Sequence, residues 1–202
     1  IGCHVQAYVN QYDVLKGLRK GGNFVLNCIW TEEELESKLP AKMKRFIAEN
    51  EINLYTINAT KIATEIGLGR RINMIMQSAF FKLAEIIPED EAKDYLKASI
   101  KKAYGKKGDK VVNMNFEAVE RGMNSLVKIN VPASWKDAED AEVVETKKVT
   151  DFVKNIMNPM NALEGDKLPV SAFNGIEDGT FPAGTAAYEK RGIASEVPEW
   201  ET

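Results

Sequence analysis

The stretch Phe24-Val-Leu-Asn-Cys-Ile-Trp30, followed at once by Thr31-Glu-Glu-Glu34, decides the fold class of this chain. The first seven residues form an almost continuous apolar run of strand length, which is typical of a strand covered on both faces, as in a parallel sheet. The next four form a capping box, in which the Thr31 hydroxyl accepts from the amide of Glu34 and the Glu34 carboxylate reaches back. A strand that leads directly into a capped helix predicts an α/β fold.

Strand and helix signals alternate on both sides of this stretch. Before it, residues 12–20 fit a short amphipathic helix that stops at a glycine pair. After it, the pattern predicts in order a helix ending before Pro40, a helix over 41–50, a strand over 52–57 and a helix over 59–66. This alternation predicts a parallel, Rossmann-like sheet with flanking helices. The proline- and glycine-rich residues after 158 predict a loop-rich C-terminal extension.

The strongest helix signal lies over residues 72–87, where apolar side chains follow helical spacing closely. Pro88 separates this segment from a further helix over 90–104, whose acidic start and basic end match the helix dipole. Residues 111–115, Val-Val-Asn-Met-Asn, are expected to be a strand that leads into a helix beginning near Phe116. The segment 146–157 is expected to form another helix.

Composition and charge exclude several classes of protein. Apolar residues make up 44% of the 202 residues, so the chain can bury a core, and 27 basic against 30 acidic residues give a net charge of −3. This balance argues against a general nucleic-acid or anionic-membrane surface. No apolar run approaches the roughly 20 residues that span a bilayer, and no signal peptide is visible. We expect a cytoplasmic protein without a nucleic-acid or membrane partner.

Cysteine and histidine are scarce. Cys3 and Cys28 do not form a C-x-x-C motif, so there is no iron–sulfur or zinc signature. His4 is the only histidine, and its place near the first residue favours a structural role. We therefore predict no catalytic and no metal-ligating residue in this chain.

The first candidate binding segment is Gly67-Leu-Gly69-Arg70-Arg71-Ile72-Asn73, at the start of the strongest helix. Glycines allow a ligand to approach the backbone closely, a helix start offers free amides, and arginines supply bidentate donors for anions. A phosphate-bearing ligand would suit this place. In the alternative interpretation, a glycine merely ends the preceding helix and the arginines are solvated.

Two further segments are weaker candidates. Asn115 follows the expected strand, and strand-to-helix junctions of parallel α/β folds gather at the ligand-binding edge, although asparagine is also a common N-cap. The segment Tyr188-Glu-Lys-Arg191 could fasten the C-terminal extension to a neighbouring surface through ion pairs. Its alternative interpretation is a solvated run of charges.

Several segments of the chain, in this order, resemble pyruvate:ferredoxin (flavodoxin) oxidoreductases. They are Gly69-Arg-Arg-Ile-Asn-Met-Ile-Met-Gln77-Ser-Ala-Phe-Phe-Lys82, Ala103-Tyr-Gly-Lys-Lys107-Gly, Val111-Val-Asn-Met-Asn115, Gly179-Thr-Phe-Pro-Ala-Gly-Thr185 and Tyr188-Glu-Lys-Arg191. The resemblance implies that residues 1–135 are a truncated gamma-type module of 2-oxoacid:acceptor oxidoreductases. Residues 136–160 would then be a connecting helix, and 161–202 a loop-rich segment of EKR type that leads to an iron–sulfur domain absent from this chain.

The resemblance also implies a function. The intact enzyme oxidatively decarboxylates pyruvate with CoA to acetyl-CoA and CO₂, passes electrons to ferredoxin or flavodoxin, and uses thiamine diphosphate, Mg²⁺ and [4Fe–4S] clusters. No cluster ligand or thiamine-site motif is present here, so the chain alone is expected to be inactive and to bind none of these cofactors. By the resemblance, Asn73, Asn115 and Arg71 contact CoA, and the other domains of the enzyme are partners. Alternatively, the chain is an inter-domain scaffold that positions the iron–sulfur domain, or, more remotely, an unrelated nucleotide-binding Rossmann protein.

Overall fold

The computed structural model describes residues 1–140, 149–188 and 198, and the chain divides into two compact units, 1–142 and 143–202. The first unit contains a sheet with the spatial order β1-β2-β3-β4. Its strands are β1 Gly2–Cys3, β2 Asn23–Asn27, β3 Asn53–Ile57 and β4 Val127–Lys128. The first three strands are parallel and β4 pairs antiparallel with β3. The predicted α/β class with a mainly parallel sheet is confirmed.

The described part of the first unit also contains six α-helices. They are α1 Glu32–Lys38, α2 Ala41–Glu49, α3 Ala59–Ile66, α4 Asn73–Ala84, α5 Glu89–Tyr104 and α6 Asp109–Asn124. The capping box of α1 is present: the Glu34 amide donates to Thr31 Oγ1 over 3.3 Å, and the Thr31 amide donates to Glu34 Oε2 over 2.9 Å. The first five of these helices lie close to their predicted positions. α4 ends earlier than predicted because Glu85 has a left-handed φ of 47°.

Both faces of β2 are covered, which explains its unbroken apolar run. Phe24 and Leu26 pack on one side of the sheet, in a cluster with Leu35 of α1 and Ile47 of α2. Val25 packs on the other side, in a cluster that includes the helices α3, α4 and α6. Alternate side chains of one strand therefore enter two different cores.

The helix predicted over residues 12–20 is wrong. A 3₁₀ helix covers Gln6–Asn10, and the residues after it form turns. Gly17 has a φ of 82°, a left-handed conformation that an α-helix of L-residues does not contain. Leu15 is nevertheless buried. The apolar residues of this segment thus indicated burial correctly but not a helix.

The strand predicted over residues 111–115 is also wrong, because these residues lie in the first turns of α6. Gly108, with a φ of 91°, separates α6 from the preceding 3₁₀ turn. Within α6 the buried positions 112, 115, 118, 119, 122 and 123 recur every three or four residues, which is the period of a helix. A pair of adjacent valines had suggested a strand, but only Val112 of the two is buried.

The described part of the second unit is made mostly of turns and short helical segments. A π-helical turn Val153–Met157 runs into α7 Asn158–Asn161, and a 3₁₀ turn follows at Val170–Phe173. The rings of Phe152 and Phe181 meet edge to face, with centroids 5.1 Å apart. This agrees with the predicted loop-rich extension. The segment 136–160, predicted as a connecting helix, and the helix predicted over 146–157 fall partly on residues 141–148, outside the described residues.

Candidate functional site

The turn between α3 and α4 carries the first predicted site. The amide of Gly67 donates to the Thr64 carbonyl over 3.1 Å, and the amide of Leu68 donates to the Ala63 carbonyl over 2.7 Å. This pair of bonds, with Gly67 at a φ of 92°, is the Schellman arrangement that ends a helix. Leu68 is 2% exposed and anchors the turn in the core. Gly67 therefore acts as a helix terminator, as the alternative interpretation of this segment had it.

The start of α4 follows this turn directly. Arg70, Arg71 and Asn73 are all exposed, and Asn73 is the first residue of the helix. The Arg71 Nε atom donates to the Leu68 carbonyl over 3.2 Å, which holds the guanidinium beside the turn. No side chain in the described part of the chain caps this helix start. An uncapped helix start with two adjacent guanidinium groups is suited to a phosphate or another anion.

Asn115 has a different environment from the one expected. It is 6% exposed and lies inside α6, where its Nδ2 atom donates to the Val111 carbonyl one turn earlier over 2.8 Å. Its neighbour Met114 packs near the turn: a Cβ placed on Gly67 would lie 3.2 Å from Met114 Cε. α6 thus packs against the α3–α4 turn, but the amide of Asn115 is bound within its own helix. A contact of Asn115 with a ligand stays a prediction.

Sequence reasoning missed Gly122, which fixes the position of α4 on α6. A Cβ at this residue would lie 2.1 Å from Ser78 Oγ and 2.4 Å from the Ile75 carbonyl oxygen. The Ser78 hydroxyl donates to the same Ile75 carbonyl over 2.9 Å. Only glycine lets the two helix backbones approach this closely. A glycine on the buried period of α6 is the signal that could have indicated the crossing.

The described residues do not fit a metal cluster. No group of three or more histidine, cysteine or acidic side chains in the described part of the chain is placed to hold a metal ion. Cys3 and Cys28 are free, buried thiols, and burial raises the pKa of both. An iron–sulfur cluster needs thiolate ligands, usually four, whereas this sequence has only two cysteines. No helix of this part is long and apolar enough to cross a membrane.

The segment Tyr188-Glu-Lys-Arg191 is described only at Tyr188, which ends a 3₁₀ turn. Residues 189–191 lie outside the described residues, so the predicted ion pairs of this segment stay a prediction.

Two family models match the chain. One, described as pyruvate ferredoxin/flavodoxin oxidoreductase, matches residues 1–125, and the other, described as EKR, a domain of unknown function, matches residues 138–194. A solved structure, the pyruvate oxidoreductase subunit PORC from Thermotoga maritima, is similar with a TM-score of 0.50 at 17% identity, over 63% of this chain and 62% of that one. This likeness concerns the fold.

Curated relatives match over the full length of the chain. The pyruvate-flavodoxin oxidoreductase of Enterobacter agglomerans is 59% identical over 202 residues, and the pyruvate:ferredoxin oxidoreductase of Moorella thermoacetica is 53% identical over 201. The mitochondrial pyruvate dehydrogenase [NADP(+)] of Euglena gracilis is 44% identical over 202 residues, covering 99% of this chain and 11% of that protein. The chain spans 17% of the length of the first two relatives, which are therefore much longer proteins.

Proposed function

We propose that this chain, which belongs to the pyruvate ferredoxin/flavodoxin oxidoreductase family, is one segment of an enzyme that oxidises pyruvate. The enzyme decarboxylates pyruvate with CoA to acetyl-CoA and CO₂, and passes the electrons to ferredoxin or flavodoxin. Identity of 59% over the whole chain to a pyruvate-flavodoxin oxidoreductase supports this role. By the family resemblance, thiamine diphosphate, Mg²⁺ and the iron–sulfur clusters are held by other segments of that enzyme.

The contribution of this segment is to bind CoA. The observation that carries this proposal is the uncapped start of α4, where Arg70, Arg71 and Asn73 are all exposed. CoA carries phosphates, which pair with guanidinium groups and helix amides, and amide groups, which exchange hydrogen bonds with asparagine. Asn115 is the third proposed contact. It lies on α6, which packs against the turn that leads into α4.

One observation favours the scaffold alternative. Two of the three proposed contacts already have partners inside the chain, since Arg71 Nε donates to the Leu68 carbonyl and Asn115 Nδ2 donates to the Val111 carbonyl. If these bonds persist in the intact enzyme, the side chains serve the fold. The segment would then position the neighbouring domains, including the iron–sulfur domain.

Steady-state kinetics of the intact enzyme distinguish CoA binding by this segment from a purely structural role. Loss of a hydrogen bond to a charged group costs about 1.5–3 kcal/mol, so Asn73→Ala should raise the Michaelis constant for CoA roughly ten- to hundredfold. The Michaelis constant for pyruvate and the CoA-independent decarboxylation should stay unchanged, because that chemistry lies elsewhere in the enzyme. Asn113→Ala is the matched control, since Asn113 is an exposed asparagine of α6 that is not assigned to CoA. A CoA constant within about twofold of the wild type in Asn73→Ala and Asn115→Ala would favour the scaffold.

A further inference from the structure

A cavity of about 320 Å³ opens where β2 and β3 end, at the carboxyl edge of the parallel strands. α3, the end of α6 and β4 complete its walls. None of the residues assigned to CoA above is among those that line it. Ligands of open α/β sheets bind at this edge, so the position itself is one at which a small molecule is expected.

Thr56 supplies a polar group that the fold leaves unused. This residue of β3 lines the cavity and is only 7% exposed. Its hydroxyl makes no hydrogen bond within the described part of the chain. Every fully enclosed side-chain nitrogen or oxygen of that part does have a partner, so the unpaired Thr56 hydroxyl keeps some solvent-accessible surface. The Thr56 hydroxyl is therefore free to donate a hydrogen bond to a molecule that enters the cavity.

Two basic residues, Lys61 and Arg121, and one acidic residue, Glu65, line the cavity. Glu65 and Arg121 form an ion pair across the wall, and the hydrogen bond from Arg121 holds the pKa of the Glu65 carboxyl below its usual value. Lys61, one turn before Glu65, forms no ion pair within 4.0 Å with any described residue, although its charge also helps to lower the pKa of the Glu65 carboxyl. The start of α3 adds a partial positive charge at the same place. The cavity therefore favours one negative charge.

The strand ends and α3 are held rigidly around the cavity by Asn27, which is 7% exposed. Its Nδ2 atom donates to the His4 carbonyl after β1, and its Oδ1 atom accepts from the Ala59 amide at the start of α3, each over 2.9 Å. The Asn58 side chain accepts from the Lys61 amide over 2.9 Å and fixes the first turn of α3. Two side-chain caps thus hold the backbone that carries Lys61 in one position.

The rest of the lining is mixed. Asn58 and Ser125 are polar, Ile57 and Ile62 are buried apolar residues, and Ile29 and Val127 of β4 are exposed apolar residues. A volume of about 320 Å³ is the room of roughly ten waters at about 30 Å³ each. That volume lies near the lower end of the sizes known for ligand pockets.

We propose that this cavity binds a small molecule that carries one carboxylate or phosphate group on a short apolar body. Lys61 pairs with the anionic group, the Thr56 hydroxyl donates a hydrogen bond to it, and the isoleucines pack against the apolar part. The site is separate from the CoA contacts at the start of α4.

The test measures protection of Lys61 against acetylation in the intact enzyme, resolved by peptide mass spectrometry. Butyrate and butyl phosphate are the probes. n-Butanol controls for the apolar body, and sodium chloride controls for ionic strength. Lys102 of α5 is the internal control, because it is exposed and lies outside the cavity. We expect saturable protection of Lys61 by at least one anionic probe, none by the controls, and no effect at Lys102. The stronger probe identifies the preferred anionic group.

The Thr56→Val variant and competition by CoA test whether the protection comes from the proposed site. Thr56→Val removes the hydroxyl at nearly constant shape and should raise the half-protecting concentration roughly ten- to hundredfold, the effect of losing one hydrogen bond to a charged group. Protection that does not saturate, that sodium chloride reproduces, or that Thr56→Val leaves unchanged would overturn the proposal, as would a Lys61 that does not react in the free enzyme. Protection by CoA alone would assign the cavity to the CoA site instead.

Discussion

Asn73 and Asn115 both end a segment that suggested a ligand contact, yet they lie in opposite environments. Asn73 is exposed on the first turn of α4, after a turn that glycine and two arginines form. Asn115 is buried within α6, and its amide is bound to the Val111 carbonyl. The residues before each asparagine explain the difference. A Schellman turn ends α3 and lets α4 start in solvent at Asn73, whereas α6 starts after Gly108, at Asp109, six residues before Asn115. The Asn73 side chain is therefore accessible to a ligand, whereas the Asn115 side chain makes a hydrogen bond within the fold.

The largest expected effect comes from breaking the helix crossing that holds α4 on α6. Gly122→Ala places a methyl group 2.1 Å from Ser78 Oγ and 2.4 Å from a backbone oxygen of α4, and a backbone atom cannot move aside. We expect a loss of about 3 kcal/mol or more in the free energy of unfolding, the upper range of overpacking. Urea denaturation of the 202-residue chain measures it.

Gly105→Ala is the matched control for this substitution. Gly105 has a helical φ of −55°, and a Cβ there would meet no atom within 4 Å. We expect it to be neutral or to stabilise by up to about 1 kcal/mol. Equal effects of the two variants would contradict the close crossing.

Replacing each of the two asparagines by alanine should change the free energy of unfolding by different amounts. Asn115→Ala removes a buried hydrogen bond and should cost about 1–2 kcal/mol, whereas Asn73→Ala, on an exposed helix start, should change the free energy of unfolding by less than about 0.5 kcal/mol. The same denaturation measurement compares them. If Asn73→Ala were the more destabilising, the assignment of Asn73 to a ligand and of Asn115 to the fold would be reversed.

The smallest expected effect is a pH dependence of the ion pair between Glu65 of α3 and Arg121 of α6. Arg121 lowers the pKa of the Glu65 carboxyl below 4.5 in the folded chain. The pair therefore stabilises the fold above the unfolded pKa, and this contribution is lost as the pH falls through the lowered folded pKa. The stability difference between wild type and Glu65→Gln should thus be present at pH 6 and shrink below about pH 4. A difference that stays constant over this range would show that the pair does not contribute.

Local signals were sufficient for much of the fold. The capping box at Thr31, the apolar run of β2 and the periodicity of α4 predicted their elements, because caps and burial periods depend on neighbouring residues. Residues 111–115 were misassigned because two adjacent valines resemble a strand when the burial of the following turns is unknown. The crossing at Gly122 leaves one local signal, a glycine on the buried period of α6, but its partner on α4 is distant in sequence. The cavity at Thr56 depends wholly on residues distant in sequence, so no local pattern could indicate it.

The most direct test of the CoA proposal is an experimental structure of the intact enzyme with CoA bound. We predict polar atoms of CoA within about 3.2 Å of the Asn73 side chain and of the Arg71 guanidinium, the distance of an ordinary hydrogen bond. CoA bound with no atom near the start of α4 would contradict the account, and this segment would then be a scaffold.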